Sequence, residues 1–190
     1  MFQFGNNDQH AISTRARHSC FTRQEFEVVG KLEAFDKAKN LRTLIAVPQY
    51  SRTLFGNISN QVLHNLIMPM RYLRVLSLVG CGMGEVPSSI GELIHLRYLN
   101  FSYSRIRSLP NSVGHLYNLQ TLILRRCYAL TELPIGIGNL KNLRHLDITG
   151  TSRLEEMPFQ LSNLTNLQVL TRFIVSKSRG VGIEDRKSVV

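Results

Sequence analysis

Tryptophan is absent, and Phe, Trp and Tyr together make up 8% of the chain. Few rings are therefore on hand for the base stacking by which proteins grip single-stranded nucleic acid. Cysteine is equally sparse: Cys20, Cys81 and Cys127 are odd in number, lie far apart and form no C-x-x-C pair. That pattern argues against a disulfide framework or a zinc ribbon and suits a reducing compartment. The chain does not open with a basic stretch followed by an apolar one, so no secretory signal is read. Nor does it contain an apolar run long enough to cross a bilayer, so no membrane span is expected. There is no G-x-x-x-x-G-K-[ST] loop to cradle phosphates, and no cofactor is expected. Acidic residues are scarce, 13 against 23 Lys and Arg, leaving a formal net charge of +10. A basic domain suits nucleic acid, an anionic membrane or an acidic protein surface, and composition does not choose among them.

What is present is a repeat. Four segments align, beginning "LRVLSLVGCGMGEVPSSIGEL" at Leu73, "LRYLNFSYSRIRSLPNSVGHL" at Leu96, "LQTLILRRCYALTELPIGIGNL" at Leu119 and "LRHLDITGTSRLEEMPFQLSNL" at Leu143. A further unit starts at Leu167, so the successive steps are 23, 23, 24 and 24 residues. Pro87, Pro110, Pro134 and Pro158 keep the same beat. A proline in every unit would cost a helix interior about 3 kcal/mol each, which excludes a coiled coil. Units this short have no room for the two helices of helical-hairpin repeats. The period and the L-x-x-L-x-L spacing are those of a leucine-rich repeat.

Within a unit the L-x-L step has a period of two, so Leu76 and Leu78 are expected inward and Val75, Ser77 and Val79 outward. Each strand returns through a P-x-x-(I/V/L)-x-x-L arm on the far side, so the strands must run parallel. The expected fold is an α/β solenoid, a leucine-rich-repeat horseshoe segment with parallel strands on the concave face and short helical or irregular convex arms. One unit cannot bury its own leucines; only stacking does so, worth about 1.5–3 kcal/mol per fully buried side chain.

The ends are less regular. Upstream, "LRTLIAV" and the weaker "ARHSCF" read as strands, and "RQEFEVVGKLEAF" between them follows a helical beat. The 32-residue gap from Leu41 to Leu73 implies an insertion, expected as a short helix in "NQVLHNLIM". Downstream, "LQVLTRFIV" places Arg172 where a strand leucine belongs. Residues 1–15 are expected to be disordered or linker, 16–70 irregular N-terminal repeats, 71–175 regular repeats and 176–190 a disordered tail. Neither end shows a polar cap of the kind solenoids need, which reads as a piece of a larger chain.

The segments "ARHSCF", "EAFDKAKNLRTLIAV", the run from Leu73 to Cys127, "LTELPIGIGNLKNLRHLDITGTSRLEEMP" and "LSNLTNLQVLTRFIVSKS" resemble the plant intracellular nucleotide-binding leucine-rich-repeat disease resistance proteins of the coiled-coil class. The resemblance runs from about Ile12 to Gly182 and covers only the start of that family's repeat region. It implies a cytoplasmic, non-catalytic protein-interaction module in plant defense. Its implied partners are a pathogen effector, a host guard protein or the family's own nucleotide-binding module. The tail from Ile183 departs from the family pattern. Other readings are an intracellular signalling scaffold, a nonfunctional truncated fragment, a nucleic-acid binder or an extracellular receptor. The last would need glycans at the sequons Asn57, Asn100 or Asn163.

Among candidate sites, Cys127 stands beside Arg125 and Arg126, and cationic neighbours can activate a thiol. Its slot, however, is the one Cys81, Ser104 and Thr151 fill in other units, expected to face inward and donate to bend carbonyls. His145 and Asp147 share a face without a nucleophile or a third ligand, so neither a catalytic pair nor a metal site is expected. The outward strand positions are the expected partner-binding residues. They are Val75, Ser77 and Val79, then Tyr98, Asn100 and Ser102, then Thr121, Ile123 and Arg125, then His145, Asp147 and Thr149. Arg74, Arg97 and Arg144 form a basic rim, with Gln120 and Gln168 in the same register.

Overall fold

The computed structural model describes residues 2–4, 15–22, 35, 38–47 and 58–174. Their strands are β1 (Phe2–Phe4), β2 (His18–Thr22), β3 (Thr43–Val47), β4 (Val75–Ser77), β5 (Tyr98–Asn100), β6 (Thr121–Ile123), β7 (His145–Asp147) and β8 (Val169–Leu170). They make one sheet, parallel throughout and ordered as in the chain. Leu44, Leu76, Leu99, Leu122 and Leu146 stand in register on successive strands and are fully buried. This column is the product of the L-x-L alternation: one unit's leucine is covered only by the next unit's.

On the opposite side, four short 3-10 helices follow the prolines: η1 (Ser88–Glu92), η2 (Asn111–His115), η3 (Ile135–Asn139) and η4 (Phe159–Asn163). Pro87, Pro110, Pro134 and Pro158 each cap one, with φ between −64° and −68°, the value the pyrrolidine ring imposes. The glycine that follows in the first three arms lets them stack at backbone contact. A Cβ on Gly114 would lie 2.5 Å from the Gly136 carbonyl oxygen. The bends after β4, β5, β6 and β7 each hold one left-handed residue, in turn Gly80 (φ 64°), Tyr103 (60°), Arg126 (55°) and Gly150 (76°). The two non-glycine members stack, with the Arg126 guanidinium 5.5 Å from the Tyr103 ring centroid. That contact is a cation–π attraction offsetting some of the αL cost.

The insertion between β3 and β4 contains helix α1 (Asn60–Ile67), where a short helix was expected. Ser59 caps it by accepting from the Val62 amide, and Leu63, Leu66 and Ile67 are buried. The helix takes the convex position of an arm, tied to η1 by a 2.8 Å contact between His64 Nδ1 and Ser89 Oγ. Phe2–Phe4, within the stretch expected to be disordered or linker, instead pairs in register with Ser19–Phe21 of β2. A strand edge offers unpaired backbone groups, and a short F-x-F stretch can extend along it. The helical beat of "RQEFEVVGKLEAF" falls outside the described residues except Phe35, which is buried edge-on against Phe21. The tail 176–190 also lies outside them.

Candidate interaction surface

The strand alternation places one row of side chains along the concave side: Val75, Tyr98, Thr121, His145 and Val169 in register, with Ser77, Asn100, Ile123 and Asp147 two residues on. Of the twelve expected partner-binding residues, Arg125, His145 and Thr149 are exposed, while Val75, Val79, Tyr98, Thr121, Ile123 and Asp147 are half-buried. The other three must be corrected. Ser77, Asn100 and Ser102 are 7%, 9% and 4% exposed and are taken out of the contact surface. Asn100 donates from Nδ2 to the Tyr98 hydroxyl at 3.1 Å, and its Oδ1 accepts from the Ser102 amide and hydroxyl at 2.9 and 2.6 Å. Small polar residues in a concave trough turn to one another beneath a ring, which alternation alone does not reveal. Burial also removes the Asn100 sequon from any glycan.

Cys127 is fully buried, and its thiol donates to the Phe101 carbonyl at 3.2 Å with Ser104 Oγ 3.3 Å away. Burial raises its pKa, and the Ser104 hydrogen bonds offset that only in part, so the thiol stays neutral at physiological pH. Thr151, one repeat on, donates to the Ile148 carbonyl at 2.8 Å from the same slot. Neither flanking arginine reaches the sulfur. Arg126 lies over Tyr103, and Arg125 faces the concave side, where its charge acts on Asp147. Burial pushes the Asp147 pKa up, but hydrogen bonds from Thr149 and Thr171, with the Arg125 charge, outweigh it and hold the carboxyl below its usual range. Among the described residues no group of three or more His, Cys, Asp or Glu gathers as a metal site would require.

Arg74, Arg97 and Arg144 are exposed in one slot, each amide donating to the carbonyl of the previous occupant. That chain of backbone bonds extends the slot upstream through Arg42 to Arg17. These two residues were missed because the units there are irregular in length. The motifs "NLRTL" and "ARHSC" carried the signal. Next to this slot, Asn118, Asn142 and Asn166 each donate from Nδ2 to a carbonyl of the preceding unit, at 2.7–2.8 Å. They fasten unit to unit.

At the downstream end, Arg172 donates to the Thr151 carbonyl at 2.9 Å, and Thr171 bridges Asp147 and the Ile148 amide. The sequence shows no cap there, yet these polar groups close the strand ends. The apolar face beside them stays open, with Phe159 88% and Phe173 67% exposed. No helix among the described residues is long and apolar enough to cross a membrane.

Comparison with known proteins agrees with this architecture. The leucine-rich repeat region family matches residues 51–184. A candidate disease resistance protein of Arabidopsis thaliana is 34% identical over 126 residues, 66% of this chain and 9% of that protein. A candidate disease resistance RPP13-like protein of the same plant is 36% identical over 113 residues, 59% of this chain and 11% of that one. The chain thus spans about a tenth of the length of these relatives. Among solved structures, the leucine-rich-repeat ectodomain of the Arabidopsis receptor kinase HAESA, in complex with a peptide hormone, superposes with a TM-score of 0.57. It is 26% identical and covers 79% of this chain and 25% of that one. With the repeat period, the parallel sheet and the family match in agreement, the chain belongs to the leucine-rich-repeat family and is similar there to plant disease resistance proteins.

Proposed function

We propose that the chain is a cytoplasmic, non-catalytic protein-interaction module of plant defense. Its concave face would contact a pathogen effector, a host guard protein, or the nucleotide-binding module of the same receptor to hold it inactive. The observation that carries this reading is the row Tyr98, Thr121, Ile123, Arg125 and His145. These residues keep aromatic, aliphatic and charged surface accessible although the leucines behind them already complete the core. Solenoids use such concave surfaces for binding, and the rim of Arg74, Arg97 and Arg144 would steer an acidic partner. The regular repeats at 71–175 supply this surface, with the irregular units at 16–70 as its upstream flank.

Coprecipitation tests the proposal. The chain is co-expressed in plant cells with the nucleotide-binding region encoded beside a matching repeat region, or with candidate effectors. Arg125→Glu is expected to weaken the complex while leaving the solenoid folded, at a small cost in stability from the lost attraction to Asp147, and Cys127→Ser is expected to leave binding intact. A complex indifferent to Arg125→Glu and to Tyr98→Ala would rule out the concave face as the contact.

A further inference from the structure

The arginine slot and the asparagine slot run side by side, and both change character upstream of β6. From Asn118 onward the second slot holds the asparagines that fasten neighbouring units. One and two units earlier it holds His95 and Tyr72, whose rings stack at 6.1 Å and 15°. Beside them a groove of about 600 Å³ opens, lined by Arg15, Arg17, Arg42 and Arg74, with Asn40, Tyr72 and His95 completing it. No carboxylate is among its described lining residues. Among the described residues Arg17, Arg42 and Arg74 take part in no ion pair, whereas Arg71, outside the groove, lies 3.8 Å from Glu92.

We propose that this groove binds a compact, soluble polyphosphate. Like charges stacked on neighbouring strands repel, and a multiply charged anion between them removes that cost. Guanidinium groups present forked donors matched to phosphate oxygens. The volume falls within the range of small-molecule sites, about 300–1,000 Å³. The spacing favours clustered phosphates over an acidic peptide. Arg17, Arg42 and Arg74 each stand one residue before the adjacent strands β2, β3 and β4, which lie about 4.8 Å apart, whereas same-side residues of an extended peptide repeat at about 6.7 Å. An extended row of carboxylates would fall out of register with the ladder. The site also has sides as well as a floor: Arg15 and the Tyr72–His95 pair turn the row of cations into a cup. The inference is distinct from the concave contact proposed above: none of the groove residues belongs to the row centred on Ile123, and Arg74 alone is shared with the rim.

The test is calorimetric titration of the whole chain with inorganic tripolyphosphate at physiological ionic strength, with orthophosphate alongside. One-to-one binding of tripolyphosphate, much tighter than of orthophosphate, is expected. Arg42→Gln and Arg74→Gln are each expected to weaken it by about tenfold or more, the weight of a hydrogen-bonded charge contact. Arg144→Gln removes the same charge from the same slot, between Gln120 and Gln168, and is expected to leave binding unchanged. Arg74 and Arg144 are exposed and Arg42 is half-buried, and a retained cooperative thermal transition confirms that each variant is folded. Equal loss in Arg144→Gln would overturn the proposal in favour of diffuse charge attraction. So would binding of orthophosphate as tight as that of tripolyphosphate. A hexaglutamate peptide that outcompetes tripolyphosphate would overturn it in favour of an acidic protein segment. Binding only to vesicles bearing a bisphosphorylated inositol lipid would overturn it in favour of a membrane headgroup.

Discussion

The unit that starts at Leu119 and the unit that starts at Leu143 fill the same inward slots with the same kinds of residue, yet they are buried differently. In the first, Leu122, Leu124, Cys127, Leu130, Ile137 and Leu140 are all fully buried. In the second, Leu146, Ile148 and Thr151 remain so, but Met157 and Leu161 in the arm are half-buried where Leu133 and Ile137 of the first are buried. One unit later, Leu167 and Leu170 are half-buried as well. An identical motif therefore has no fixed worth: its apolar stabilisation is set by whether a neighbour lies on each side, as expected of a nearly one-dimensional array.

The most severe way to break this comparison is to truncate the same column at two depths. Leu122→Ala removes a side chain enclosed by β5 and β7 and is expected to cost about 2–5 kcal/mol of unfolding free energy. Leu170→Ala, on the last strand of the sheet, is expected to cost a fraction of that. Chemical denaturation of both variants measures the pair, and equal losses would mean that burial by neighbours is not what grades the repeats.

The convex side offers a second, smaller contrast. Gly114→Ala drives a Cβ to 2.5 Å from the Gly136 carbonyl oxygen, a backbone atom that cannot turn aside, whereas Gly84→Ala meets nothing within 4 Å. The first is expected to lower stability by about 1–3 kcal/mol, as overpacking does, and the second to leave it near wild type. Thermal melting that ranks them the other way would show that the arms are free to spread.

The repeat made most of this legible. Period, proline beat and L-x-L step fix the sheet order, the inward column and the place of Cys127, because each is a property of many units at once. The insertion helix was legible too, from an apolar beat inside a gap of known excess length. What stayed hidden depends on single positions. Nothing in the pattern says that Asn100 and Ser102 turn to each other, because alternation assigns a side but not a depth. The left-handed bend is visible at Gly80 and Gly150 but not at Tyr103 and Arg126, where side chains conceal the same φ. Arg17 and Arg42 belong to the rim by backbone pairing across units of uneven length, which regular spacing cannot count.

Among the fasteners, Asn142 donates to the Tyr117 carbonyl at 2.7 Å and joins the turns that lead into β6 and β7. Asn142→Ala is expected to cost about 0.5–1.5 kcal/mol, the net worth of one hydrogen bond. Hydrogen exchange should show the loss shared across β6 and β7 rather than confined to one of them. Protection lost only downstream of Asn142 would mean that the bond anchors the end and not the stack.

The finest test uses two residues in one slot. Asn100 and Asp147 occupy the same register position two strands apart. Each accepts the amide of the residue two further on, Ser102 or Thr149, at 2.9 Å. The interior member is neutral. The outer one is a carboxylate that also holds the Thr171 hydroxyl at 2.9 Å, next to β8. Because hydrogen bonds and Arg125 lower the Asp147 pKa below its ordinary value of 3.8, folding binds this proton more weakly than unfolding does. The linkage sign follows: the ionised carboxylate stabilises the fold at neutral pH, and that contribution is lost as pH falls through the carboxylate range. In urea titrations from pH 7 downward, wild type is expected to exceed Asp147→Asn at neutral pH and to converge with it once the carboxyl is protonated. Asn100→Ala is expected to show a deficit that does not vary across the same range, since nothing in its cluster titrates there. A gap between wild type and Asp147→Asn that stayed constant with pH would mean that hydrogen-bond geometry, and not charge, fastens the last strand.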